Sequence, residues 1–145
     1  MATVYRWWAA IVALAVVVQI GLAGYGAFHA AEKIEDNDSI SKSSWEDGFD
    51  PHAGFGYLVV LAGIVLFLIS LGTRDGRTRP RLLWNLAVPL LLILQVILAW
   101  IGESVGALGF LHPINAFVIL ALVGSLAGRA WRGDMAPARG YDPAT

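Results

Sequence analysis

An all-α membrane protein is the fold class this sequence predicts: a four-transmembrane-helix up-down-up-down bundle made of two pseudo-repeated helix pairs. Composition is the first observation behind it. Of 145 residues, 57% are hydrophobic and only 14% charged, far from the average of soluble domains. Segmentation is the second. Four stretches carry no Asp, Glu, Lys or Arg: Trp7 to Ala31, Pro51 to Thr73, Leu82 to Gly102 and Ser104 to Gly128. Each is long enough to cross the hydrocarbon core, for which roughly 20 residues of helix suffice. In lipid only helices and closed barrels satisfy their own backbone groups, and continuous apolar runs lack the two-residue alternation of a barrel. Charge is the third. Arg6 precedes the first stretch, Arg74, Arg77, Arg79 and Arg81 separate the second from the third, and Arg129, Arg132 and Arg139 follow the fourth. Four spans therefore put every arginine on one face. The first loop, Glu32 to Asp50, holds seven acids against two lysines, and the third loop contributes only Glu103. The positive-inside rule then predicts cytoplasmic termini and an outward acidic loop, in an inner (plasma) membrane.

The elements follow in order. Helix one is expected at about 7–31. Its basic start and apolar run fit a signal peptide, but the run exceeds a typical h-region and no small-x-small site precedes the acidic loop, so retention is expected. Gly21, Gly24 and Ala27 recur at three-residue spacing, which suits close helix packing. Helix two, about 52–73, follows Asp50-Pro51, an N-cap candidate and a first-turn proline. Helix three, about 82–102, starts after Arg79-Pro80 and contains Pro89, which is expected to bend it. Helix four, about 110–131, carries Pro113 near its first turn, where proline costs little. Trp7, Trp8, Trp84 and Trp131 fall near the inner interface and Trp45 and Trp100 near the outer one, as aromatic anchors. Residues 1–132 make one transmembrane domain, and 133–145, rich in Gly, Pro and Ala, are expected to be a flexible cytoplasmic tail. The absence of cysteine excludes disulfides, thiolate metal sites and covalent c-type haem attachment. The lipid bilayer is the expected partner, and nucleic acid is not.

Two histidines carry the functional signal. His52 opens one apolar segment and His112 another; four positions on, each has a small residue, Gly56 or Ala116, followed by an aromatic, Tyr57 or Phe117. Upstream lie two matching strings, Gln19-Ile-Gly-Leu-Ala and Gln95-Val-Ile-Leu-Ala. In an alternating bundle helices two and four run the same way, so both histidines reach similar depth near the outer face. Two neutral imidazoles facing each other can fill both axial positions of a haem iron. The residue at i+4 shares a helix face with each histidine, and its small size leaves room for a macrocycle. A histidine inside a membrane segment is a functional-site hypothesis in its own right. Taken singly, each could also be a wet interfacial side chain; the duplication favours the haem. His29 either hydrogen-bonds a haem propionate, lines a quinone pocket, or is an interfacial polar residue, the last being the plainer reading. Gln19 and Gln95 lie deeper and either join helices or reach a cofactor edge. Glu103, Glu46, Asp47 and Asp50 surround the outer mouth, where a solvated acidic surface is the default and a proton relay or a cationic partner the alternative. A non-haem metal held by His29, His52 and His112 with a carboxylate has no ligand spacing to specify it.

The arrangement resembles one four-helix half of the haem A synthase-like membrane fold, and is similar to small bacterial four-span b-type haem proteins. Gln19 and Gln95 look like that family's glutamine-bearing odd helices, and His52 and His112 match its haem-ligand positions, over about residues 10–130. The departures are equally specific. The family has eight helices and this chain one bundle. Its catalytic half places a glutamate three residues before the first histidine and an arginine after it; here Phe49, Asp50 and Pro51 precede His52 and Ala53 follows. The loop cysteines of many members are absent. The resemblance thus implies a haem-holding bundle without the full oxidation of haem O to haem A. Bis-histidine haem b near the extracytoplasmic face, passing single electrons with a quinol or a respiratory partner, is the expected function. The alternatives are a haem-handling protein and a cofactor-free helical subunit of a larger membrane complex.

Overall fold

The computed structural model describes residues 1–37, 41–73 and 79–133, and these are almost wholly helical. The helices are α1 (Ala2–Asn37), α2 (Lys42–Leu71), α3 (Arg79–Ser104), the single turn α4 (Gly106–Gly109) and α5 (Leu111–Arg132). Four segments are long and apolar enough to cross a membrane: Ala2–Glu35, Lys42–Leu71, Pro80–Ser104 and Gly106–Arg132. Large apolar side chains such as Leu14, Leu58, Leu61, Leu90 and Phe117 point outward, so the helices are apolar on both faces. That pattern belongs to a helix surrounded by protein on one side and lipid on the other. Arg74, Arg77, Arg139 and the expected tail at 134–145 lie outside the described residues.

The sequence places the start of the second helix too late. Asp50 is not its N-cap. The helix begins after Ser41, which is in extended conformation and accepts a hydrogen bond from the Ser44 backbone N–H at 3.1 Å, the usual remedy for an orphaned first-turn donor. Pro51 therefore lies inside α2, where the only backbone bond it forfeits is to the carbonyl four residues back. Most of the expected acidic loop is thereby helical, and Glu46, Asp47 and Asp50 stand exposed on the first turns of α2. At the other extreme, α5 stops where Gly133 adopts φ 75° and returns its N–H to the Arg129 carbonyl, a left-handed cap that glycine adopts without strain. Arg129 and Arg132 in the last turn complement the helix dipole.

Packing forms a closed ring. α1 packs on α2 and α5, and α3 packs on the same two helices, so α1 faces α3 and α2 faces α5 across the bundle axis. Tyr5, Ala9, Val12 and Val16 form a buried stripe along the first half of α1 at helical spacing. It meets Val59 and Leu66 of α2, Val88 and Leu92 of α3, and Ile119, Val123, Leu126 and Ala127 of α5. The start of α1 is pinned three ways. The Tyr5 hydroxyl donates to Asn85 Oδ1 at 2.6 Å, Trp8 Nε1 donates to the Ala62 carbonyl at 2.9 Å, and the Trp7 and Trp131 rings meet edge to face at 4.9 Å. Trp8 thus ties α1 to α2. Toward the other end, Ala30 is the one buried hydrophobic residue among those described. The bundle is solid at one end and open at the other.

Candidate functional site

The open end is built around the two histidines. His52 lies on α2 and His112 on α5, helices that face each other across the axis, and their rings stand 6.1 Å apart at 65°. Each ring is held by the helix beside it in the same manner. His52 Nδ1 donates to the Gln19 carbonyl at 3.0 Å, and His112 Nδ1 donates to the Gln95 carbonyl at 3.0 Å. A carbonyl only accepts, so both Nδ1 atoms carry the proton in the neutral ring and both Nε2 atoms keep a lone pair. This is the arrangement by which proteins orient an imidazole for a metal: one nitrogen is spent on a backbone carbonyl and the other is presented.

The glutamine side chains add further bonds. Gln19 Nε2 donates to the His52 carbonyl at 2.7 Å and lies 3.4 Å from His52 Nε2. Gln95 Oε1 accepts from Asn115 Nδ2 at 2.7 Å, and the same amide donates to the Leu91 carbonyl at 2.9 Å. Gly56 explains how Gln19 reaches its histidine, because a Cβ at that position would stand 3.0 Å from Gln19 Nε2. Its small size therefore serves the glutamine as well as the space beside the ring.

Two cavities adjoin the pair. The larger, about 470 Å³, opens between α2 and α3 and has His52, His112, Gln19, Gln95, Gly56 and Tyr57 among its lining, a volume within the range of small-molecule sites. Trp45, Trp100 and Glu103 also line it, so these two tryptophans face a cavity as well as the expected interface. The smaller, about 110 Å³, is lined by Ala116, Phe117 and Pro113 together with both histidines and both glutamines. The cavities exist because the walls are short: Ala23, Ala53, Gly56, Ala99, Gly102, Gly109 and Ala116 stand where larger residues would close the bundle. Gly102 and Gly109 allow a backbone crossing so close that a Cβ on Gly102 would sit 2.8 Å from the Gly109 Cα; this brings α4 and the entry of α5 against the end of α3.

Six of the seven candidate residues converge here: His52, His112, Gln19, Gln95, Gly56 and Ala116. His29 does not join them. Its ring stacks on Tyr25 at 6.0 Å, packs where a Cβ on Gly48 would be, and lines neither cavity. Asn115 is the residue that sequence reasoning passes over. An asparagine one turn after His112 inside an apolar helix was the available signal, since a polar side chain there needs a partner. Among the described residues no three or more His, Cys, Asp or Glu side chains form a group able to hold a metal ion. Comparison of the chain with protein-family models, curated proteins and solved structures finds no match.

Proposed function

We propose that this is an integral membrane protein holding one haem b between His52 and His112 and passing single electrons to or from a quinol or a respiratory partner. The paired anchoring of the two imidazoles carries the reading. Both Nδ1 atoms are tied to glutamine carbonyls at 3.0 Å, which leaves a lone pair on each Nε2, on two helices that face each other across the bundle. The two ring centroids stand 6.1 Å apart, so His52 and His112 would hold the group between them. The donor set supports a tetrapyrrole over a bare ion. Two neutral nitrogens leave most coordination positions of a naked metal unfilled, whereas a porphyrin brings its own four.

The alternating up-down order and the pseudo-repeat belong to the same reading. The start of α1 meets the ends of α2 and α5, and Gln19 stands to His52 as Gln95 stands to His112. Orientation in an inner membrane with cytoplasmic termini is supported by the arginine distribution. The likeness to half of a haem A synthase-like bundle is carried by these same four residues.

When bound, haem b would supply a one-electron couple. The chain's own residues do the rest. His52 and His112 provide the ligands, and the carbonyls of Gln19 and Gln95 hold the rings in one tautomer. Leu92, Val59 and Val60 supply apolar walls of low dielectric. A dithionite-reduced minus oxidised spectrum of the purified protein tests the reading. Sharp split bands, lost in both His52→Ala and His112→Ala, are expected. A featureless spectrum after expression with ample haem would overturn it.

A further inference from the structure

The two halves of the site begin alike and finish differently. On the α5 side, Gln95 Oε1 is taken by Asn115, and Asn115 also grips the Leu91 carbonyl. With 7% of its surface exposed, Asn115 locks α5 to α3 one turn beyond His112. No described residue hydrogen-bonds His112 Nε2, which is free for a metal. On the α2 side, the Gln19 amide turns back onto its own histidine. One N–H serves the His52 carbonyl at 2.7 Å, and the other lies beside His52 Nε2 at 3.4 Å. Gln19 Oε1 is buried without a hydrogen-bond partner among the described residues. An acceptor left so is under-satisfied, and the amide keeps this pose through its contacts to His52. The nitrogen presented for iron has a competing donor on one side of the site and none on the other.

We propose, on the haem reading above, that His112 is the fixed axial ligand and His52 the exchangeable one. With haem bound, the Gln19 amide would receive His52 Nε2 on release, and a small neutral diatomic of the carbon monoxide class would bind in place of His52. The exchange breaks one iron–nitrogen bond, forms one iron–ligand bond and one N–H···N hydrogen bond, and transfers neither electrons nor protons. Both cavities adjoin His52 and His112 alike, so the difference between the two ligands rests on Gln19 and Asn115 alone. Gln19 is thus a positioning residue: it favours release by offering His52 a resting partner.

The test uses haem-loaded protein in the ferrous state, titrated with carbon monoxide and read by absorption. Wild type is expected to bind the gas, His52→Ala to lose the sharp split bands yet retain haem and bind the gas more tightly, and His112→Ala to lose most of its haem. Gln19→Leu, which removes the resting partner, is expected to weaken carbon monoxide binding by about tenfold, the usual scale of a residue that orients a ligand. Equal haem loss in the two histidine variants, or unchanged affinity in Gln19→Leu, would overturn the proposal. Should His112→Ala fail to fold, nitrogen NMR of the imidazoles in haem-free protein decides. Gln19→Leu must shift the His52 Nε2 resonance and leave that of His112; no shift at His52 overturns it. A wild-type chain that takes up no haem overturns this proposal and the haem reading together, whereas haem uptake with equivalent histidines overturns this one alone.

Discussion

The two ends of the bundle are made from the same four helices, yet one is solid and the other hollow. At the solid end the polar groups answer one another. The Tyr5 hydroxyl gives to Asn85 Oδ1, and Asn85 Nδ2 gives to the Arg81 carbonyl at 2.8 Å. Tyr5, Leu66, Val88 and Val123 fill the space between. At the hollow end small residues line the walls, the two histidines hold one lone pair each in reserve, and Gln19 Oε1 has no partner among the described residues. Both ends place a polar pair across a bundle diagonal, Tyr5 with Asn85 from α1 to α3 and His52 with His112 from α2 to α5. The difference is chemical satisfaction. A hydroxyl–amide pair consumes both partners and rigidifies, whereas two imidazoles anchored through Nδ1 leave both Nε2 atoms to bind something between them.

If that contrast is right, substitutions at the two ends should fail in different ways. The largest effect on the site is expected from Gly56→Val, which drives a side chain onto Gln19 Nε2. On the haem reading, haem retention should fall by about tenfold or more, with the unfolding temperature of the detergent-solubilised protein nearly unchanged; a well-loaded variant would show that the hollow end tolerates bulk. Leu66→Ala, at a fully buried position of the solid end, should cost about 2–5 kcal/mol of stability and leave the positions of the absorption bands alone. Gly63→Ala is next. Its Cβ would collide with Leu92 Cδ1, and because Leu92 is itself buried the overpacking should cost about 1–3 kcal/mol, read by chemical denaturation in detergent. Tyr5→Phe is the mildest, about 1 kcal/mol for one interhelical hydrogen bond within lipid. A spectral change in this variant, rather than a stability change, would mean that the two ends are coupled and the comparison too simple.

Several features of the fold and site were legible from residue order because they are properties of local composition. Uncharged runs of sufficient length mark spans, since the cost of charge in hydrocarbon is paid residue by residue. The duplicated histidines and glutamines were legible as a pattern. Their contacts were not. The decisive acceptors are the backbone carbonyls of Gln19 and Gln95, and every residue has one; only helix rotation and register choose which carbonyl faces which ring. Asn115 escaped notice for a related reason, because an amide's partner is set by the neighbouring helix. The sequence suggests Gly56 as room for a macrocycle; the tertiary structure shows it as room for Gln19.

The sequence by itself determined four apolar spans, the asymmetry of charge and the candidacy of His52 and His112, because hydropathy and charge act at the level of single segments against a uniform solvent. It misjudged where α2 starts, since Asp50-Pro51 has the form of a helix entry and Ser41 was the residue that capped it. Only the tertiary structure decided which end of the bundle stays hollow, that His29 turns away to Tyr25 and Gly48, and that the two glutamine side chains part company. Those outcomes depend on the rotation of each helix about its axis, which is set by packing against two neighbours at once and is therefore written in no single segment.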